Sequence, residues 1–238
     1  MSAPQRAIHR SMYDLREPSR PQRLMLVVVI GAWVAIAWWL LVGGGIEMVG
    51  IWSGHPWHTG NSIRRFLLGV ALSIYFIRLL FTQFVFLKRA IGWSEAATVA
   101  IWVACIYLLL SLAGGTNSSP IGPADALGIA FFLWGSWMNS WAEYTRHLWK
   151  GKPENRGRLY TQGLFRLCRH PNYLGDLLSF SGLALIAGRW IAGIIPAIML
   201  LGFVFANIPM LDAHLAERYG EEFEVYARRT RKLIPFVY

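Results

Sequence analysis

The chain has 238 residues, of which 55% are hydrophobic and only 15% charged, with twelve Trp, nine Tyr and thirteen Phe. Soluble domains carry about 25% charge, so the composition excludes an ordinary soluble enzyme and points to one membrane-embedded domain. The net charge of +10 is not a nucleic-acid signature, because the cations fall between apolar runs, where membrane topology puts them, and not along one soluble face.

In chain order, residues 1–23 form a basic arm carrying Arg6, Arg10, Arg16, Arg20 and Arg23, too polar for a cleavable signal segment. Leu24 to Val42 is an apolar run of the length a bilayer needs, about 20 residues, closed by Gly43-Gly44-Gly45. Phe66–Leu87 is a second span, interrupted by Arg78 and closed by Lys88-Arg89, and Ala96–Ala113 is a third. The loop 114–123 is rich in turn residues and free of Lys and Arg. Ala124 to Trp141 is a fourth span.

A long basic segment follows, from Glu143 to Arg169. The 35 apolar residues from Leu177 to Leu211 suit two helices, turning at Gly188-Arg189, with Pro196 and Pro209 bending or ending the second. The tail from Asp212 reads as an amphipathic helix to about Arg229, closing on the apolar 234–238. In an alternating six-span arrangement nineteen Lys and Arg fall on one side and three on the other, with Arg78 inside. The expected fold is therefore all-α: a polytopic bundle of about six transmembrane helices in the cytoplasmic (inner) membrane, both termini cytoplasmic. Its expected regions are the arm 1–23, a helical half 24–142, and a cofactor-binding half 143–238.

The densest polar stretch runs from Arg158 to Asp176. Arg158, Arg166, Arg169 and His170 can gather around an anion, and a helix starting at Pro171 would add its N–H groups. Gly163 and Gly175 allow close backbone approach. Asp176, at the head of an apolar run, needs a partner, and Arg169 is the nearest candidate. The bland alternative for these residues is a set of anchoring arginines plus a helix cap. Asn139, Glu143 and His147 share one helical face. Asp212, Tyr219, Glu222, Tyr226 and Arg229 fall on one stripe of the tail, either capping a cavity or lying on the membrane surface. Arg78 is a lone intramembrane charge with no evident partner. Cys105 and Cys168 lie in settings too different for a disulfide, and no metal site is expected.

The Arg169–Asp176 stretch (RHPNYLGD), preceded by Leu159–Phe165 (LYTQGLF) and followed by the tail from Glu217 to Tyr238, resembles a superfamily of membrane enzymes. That superfamily includes sterol reductases, steroid 5-alpha-reductase-like proteins and isoprenylcysteine carboxyl methyltransferases. The resemblance covers residues 139–238, and Lys152–Phe165 is similar to the bacterial 5-alpha-reductase-like group. It implies a nucleotide-bearing cofactor in a cytoplasmic pocket, held at Arg169, His170, Pro171 and Tyr173.

Asn172 and Asp176 match the reductase form. Leu211-Asp212 stands where methyltransferases often have paired glutamates. The expected activity is thus an NADPH-dependent reduction of a lipid-soluble isoprenoid, steroid-like or enone substrate. Asp176 or Tyr173 is the expected catalytic proton donor. The expected cofactor contacts are Arg158, Tyr160, Gly163, Arg169, His170 and Asn172, with Tyr173, Gly175, Asp212, Tyr226 and Arg229. Two other readings stay open: methyl transfer from S-adenosylmethionine to a lipid-borne acceptor through the same pocket, and a non-catalytic lipid-binding protein. The expected partners are the bilayer and a lipid-soluble substrate, with no nucleic acid.

Overall fold

A computed structural model describes residues 19–238. Arg6, Arg10 and Arg16 of the basic arm lie outside the described residues. The described chain is helical, with no strand among these residues and one isolated parallel bridge, Cys168 to Arg231. The helices are α1 (Arg20–Leu41), α2 (Gly45–Ser53), α3 (Ser62–Phe81), α4 (Trp93–Gly115) and α5 (Pro123–Gly151), then α6 (Pro171–Ala187), α7 (Ile194–Gly202), α8 (Ile208–Tyr219) and α9 (Glu221–Arg229). Single π-helical turns extend α3 over Thr82–Phe86 and join α7 to α8 over Phe203–Asn207.

Among the described residues, four helical stretches are long and apolar enough to cross a membrane: Arg20–Leu41, Ser62–Phe86, Trp93–Gly115 and Trp190–Tyr219. The protein is an integral membrane protein. The first span begins four residues earlier than its hydropathy indicates. Pro21 suits a first helical turn, and the Arg23 guanidinium leaves the lipid by binding the carbonyls of Gln83, Leu87 and Arg89. Gln83 lies in the last turn of the extended α3 and Leu87 and Arg89 follow it, where carbonyls have no helical N–H to accept from.

Pro209 is responsible for the π turn in the fourth span. It has no N–H and its ring crowds the carbonyl four residues back, so the helix widens by one residue there and continues. The expected single tail helix is broken at Gly220, whose φ of 51° ends α8 and starts α9. Asp212 and Tyr219 are therefore on one helix and Glu222, Tyr226 and Arg229 on the next, which undoes the single stripe expected for them.

The described residues form two compact units, 19–130 with 181–195, and 131–180 with 196–238. In the first, Trp38 donates to Ser73 at 2.9 Å and the buried Tyr107 hydroxyl donates to the Leu72 carbonyl at 2.8 Å, so these two polar groups inside the spans are satisfied helix to helix. Arg78 is buried with its guanidinium 5.1 Å above the Tyr75 ring, an aromatic face that favours a cation.

Arg64, expected in a loop, is only 2% exposed. It forms a two-pronged ion pair with Asp125, Nη2 to Oδ2 at 3.2 Å, and also binds the Ile186 carbonyl. The turn expected at Gly188-Arg189 forms with Gly188 at φ 64°. A Cβ there would meet Arg64 Nη1 at 2.7 Å, so both the backbone conformation and the space require glycine.

Candidate functional site

The second unit holds the polar segment singled out in the sequence. Its frame is the approach of α5 to α6, where Gly135 and Gly175 face each other. A Cβ on Gly175 would lie 2.6 Å from the Asn139 nitrogen, and one on Gly135 would lie 2.4 Å from the Gly175 carbonyl oxygen. Close approach lets side-chain hydrogen bonds span the pair. Asn139 Nδ2 donates to the Asn172 carbonyl at 3.0 Å, and Asn172 Nδ2 donates to Glu143 Oε1 at 3.1 Å. The polar face Asn139–Glu143 of α5 thus grips the first turn of α6, which opens at Pro171 as expected.

Just before Pro171, Arg169 and His170 are 9% and 1% exposed. Asp212 of α8 binds both: Oδ2 accepts from Arg169 Nη2 at 2.8 Å, and Oδ1 lies 2.9 Å from His170 Nε2. Arg169 Nη1 donates to the Ala227 and Thr230 carbonyls at 3.0 and 2.8 Å. The backbone N–H groups of Arg169 and His170 donate to the Arg231 and Lys232 carbonyls. Three separate stretches of chain are tied at one knot. Asp212, and not Asp176, is the carboxylate given to Arg169.

Beside the knot is an aromatic stack. His170 and Tyr173 rings lie 5.4 Å apart at 15°, and Tyr173 and Phe203 lie 4.6 Å apart at 7°. Phe203 opens the π turn, a feature common at functional sites. Sequence reasoning missed it, because one Phe in a run of apolar residues carries no signal of its own. Asp176 lies half-buried one helical turn beyond Tyr173.

The other expected contacts are distributed unevenly. Tyr160 is buried with Ala142 and Phe165, and the Tyr226 hydroxyl donates to the Phe165 carbonyl at 2.6 Å. Burial, first of all, raises the Tyr226 phenol above its ordinary range. Both phenols are framework here. Gly163 sits in the left-handed region at φ 58° and is exposed. Arg158, Arg166 and Arg229 are exposed. Glu222 accepts from the Leu159 N–H at 3.1 Å, and Tyr219 accepts from Lys150 at 2.9 Å. Burial pushes the Cys168 thiol up to about 11. No cluster of metal-ligating side chains occurs among the described residues.

The guanidinium expected to grip cofactor phosphates is thus committed to Asp212 and two carbonyls. Beside it, Tyr173 and Phe203 are the partly exposed aromatic groups.

Comparison with known proteins bears on what such a site does. Residues 93–230 match the family described as Protein of unknown function (DUF1295). Over 114 residues the chain is 38% identical to the probable O-methyltransferase ustE of Ustilaginoidea virens, covering 46% of this chain and 39% of that protein. It is 31% identical over 91 residues to protein-S-isoprenylcysteine O-methyltransferase B of Arabidopsis thaliana, covering 38% and 46% of the two chains. It is 30% identical over 95 residues to methanethiol S-methyltransferase 1 of Bradyrhizobium diazoefficiens, covering 40% and 32%. The matched stretch therefore spans less than half the length of these curated relatives.

These relatives are named methyltransferases, which overturns the expected NADPH-dependent reductase, and with it NADPH as the cofactor and the reductive role of Asp176 and Tyr173. The Asn172 likeness misled because that position also serves structure: Asn172 bridges α5 to α6 through Glu143 and Asn139. The superfamily resemblance stands in its broader form, through similarity to isoprenylcysteine O-methyltransferases, and the chain belongs to the DUF1295 family.

Proposed function

We propose that the protein is a membrane-embedded methyltransferase that moves a methyl group from S-adenosylmethionine to a thiol or carboxylate carried by a lipid-soluble molecule. The observation that carries this reading is the composition of the site. Arg169 and His170 are both tied to Asp212, and Glu143 is shared between Asn172 and Arg146, so the groups around the head of α6 that no ion pair claims are the rings of Tyr173 and Phe203. Aromatic faces attract a cation, and a sulfonium is one; a polyphosphate is not. The Arg169 Nε is buried without a hydrogen-bond partner, a donor that a ligand carboxylate or hydroxyl would satisfy.

S-adenosylmethionine bound there would supply an electrophilic methyl group on sulfur. The chain's part is placement and exclusion of water. The knot of Arg169, His170 and Asp212 holds the α6 N-terminus in register with α8. Asn172 and Glu143 hold the polar head of α6. Tyr173 and Phe203 offer a flat aromatic face to the donor. Asp176, one turn further along α6, takes the proton of a thiol acceptor; a carboxylate acceptor arrives ionised and needs no base.

In this reading α5 and α6 add two crossings to the four apolar spans. Both termini face the cytoplasm, which the nineteen-to-three division of Lys and Arg supports.

The test is a titration of purified, detergent-solubilised protein with S-adenosylmethionine and with NADPH, following thermal stability. A parallel assay follows transfer of a labelled methyl group to prenylated cysteine and to small thiols. A stabilising shift with S-adenosylmethionine alone is expected. A shift with NADPH alone, or none with S-adenosylmethionine in folded protein, would refute the proposal.

A further inference from the structure

After α9 the chain runs extended through Thr230, then closes on itself. Leu233 and Ile234 N–H groups donate to the Tyr238 carbonyl at 2.7 and 2.8 Å, and Tyr238 N–H donates back to Ile234 at 3.0 Å. Leu233 is fully buried and pins this hook to the unit. The hook's other apolar residues turn outward: Phe236 is 87% exposed and Val237 73%. Ile234 is exposed beside them, and Leu167 is exposed one residue from the Cys168–Arg231 bridge. Arg228, Arg229, Arg231 and Lys232 lie within eight residues of Phe236 in the chain, the three arginines exposed, and Lys232 sits 5.1 Å over the Tyr238 ring; Arg166, also exposed, is two residues from the bridged Cys168. Among the described residues, Arg228 alone of these has a carboxylate close by, Glu224 at 3.9 Å, and the sequence has no Asp or Glu after Glu224.

Single exposed apolar residues are ordinary. An apolar tip flanked in the chain by four cations is not; it is the make-up of segments that enter the headgroup–acyl boundary of an anionic bilayer. We propose that the hook docks on an anionic phospholipid leaflet, with Phe236 and Val237 entering the acyl boundary and Arg228, Arg229 and Arg231 against the headgroups. Charge complementarity selects this occupant: zwitterionic lipid offers the arginines no net counter-charge, and a second copy of this chain would bring like charge to like. Docking has a consequence inside the unit. Thr230, Arg231 and Lys232 supply the carbonyls that hold Arg169 and His170, so a seated hook steadies the knot. That consequence for donor binding rests on the methyltransferase reading; the docking does not.

The experiment uses the full chain carrying Cys105→Ala and Phe236→Cys, labelled at residue 236 with an environment-sensitive fluorophore. The remaining thiol, Cys168, is buried. The protein is placed in nanodiscs of phosphatidylcholine alone or with phosphatidylglycerol. In anionic discs, quenching by spin-labelled lipid should rise severalfold and quenching by aqueous iodide should fall. Arg228→Glu, Arg229→Glu and Arg231→Glu together should reverse both effects. Equal iodide access in the two lipids overturns the proposal, as does protection that follows protein concentration instead of lipid charge. Val237→Cys repeats the measurement should the Phe236 variant fold poorly. S-adenosylmethionine thermal shifts in the same discs separate the two claims: docking without a shift removes the methyltransferase reading alone, and a shift without docking removes the hook alone.

Discussion

Asp212→Ala is the most informative single change. The carboxylate accepts one bond from Arg169 and one from His170, with side chains 8%, 2% and 15% exposed for Arg169, His170 and Asp212. Hydrogen bonds to charged groups contribute about 1.5–3 kcal/mol each, and removing one partner of a buried ion pair costs about 3–5 kcal/mol. These describe the same loss and are not summed. Arg169 keeps two carbonyl partners, which places the expected cost near the low end, about 3 kcal/mol.

A chain of this length shifts its midpoint by about 2–4 °C per kcal/mol, so thermal unfolding should fall by about 6–12 °C. The S-adenosylmethionine shift should disappear. Combining Asp212→Ala with Arg169→Ala should cost clearly less than the two single changes together, because the second removes a charge the first has already stranded. A midpoint within a degree of the parent with ligand response intact, or strict additivity in the double variant, would mean that the knot holds nothing.

Other consequences are independent of this one. Asp125→Ala strands the Arg64 guanidinium and should lower stability by about 3–5 kcal/mol; replacing Arg64 by Leu as well should cost less than the two changes summed, measured by thermal unfolding. Gly175→Ala brings a methyl to 2.6 Å from the Asn139 nitrogen and should cost about 1–3 kcal/mol by forcing α5 from α6, seen as a lowered midpoint and a weaker donor response. The Cys168 thiol, raised from 9.0 to about 11 by burial, favours the folded state while neutral. That contribution is complete below pH 9 and lost as pH rises toward 11. A stability–pH curve should therefore decline in that window, and Cys168→Ala should flatten the decline.

How much of this was legible beforehand varied with the kind of information involved. Span positions were readable because hydropathy is summed over about 20 residues and tolerates local error; the first, second and third spans lie within a few residues of their sequence limits. Boundaries moved where a single residue decided them: Pro21 with Arg23 at the start of α1, and Gly220 between α8 and α9. The importance of Arg169, His170 and Asn172 was legible from their density. Their partners were not, since Asp212 lies 43 residues from Arg169 and Glu143 lies 29 from Asn172.

The amino-acid order by itself determined that this is a membrane-embedded helical protein and that its polar residues crowd between Arg158 and Asp176, because composition and hydropathy act locally along the chain. Only the tertiary structure decided that Arg169 is spent on Asp212, that Phe203 stacks on Tyr173, and that the tail supplies carbonyls to the knot. Charge pairing in a low-dielectric interior depends on which groups meet through space, and a guanidinium already paired with a carboxylate answers to a different ligand from one left free.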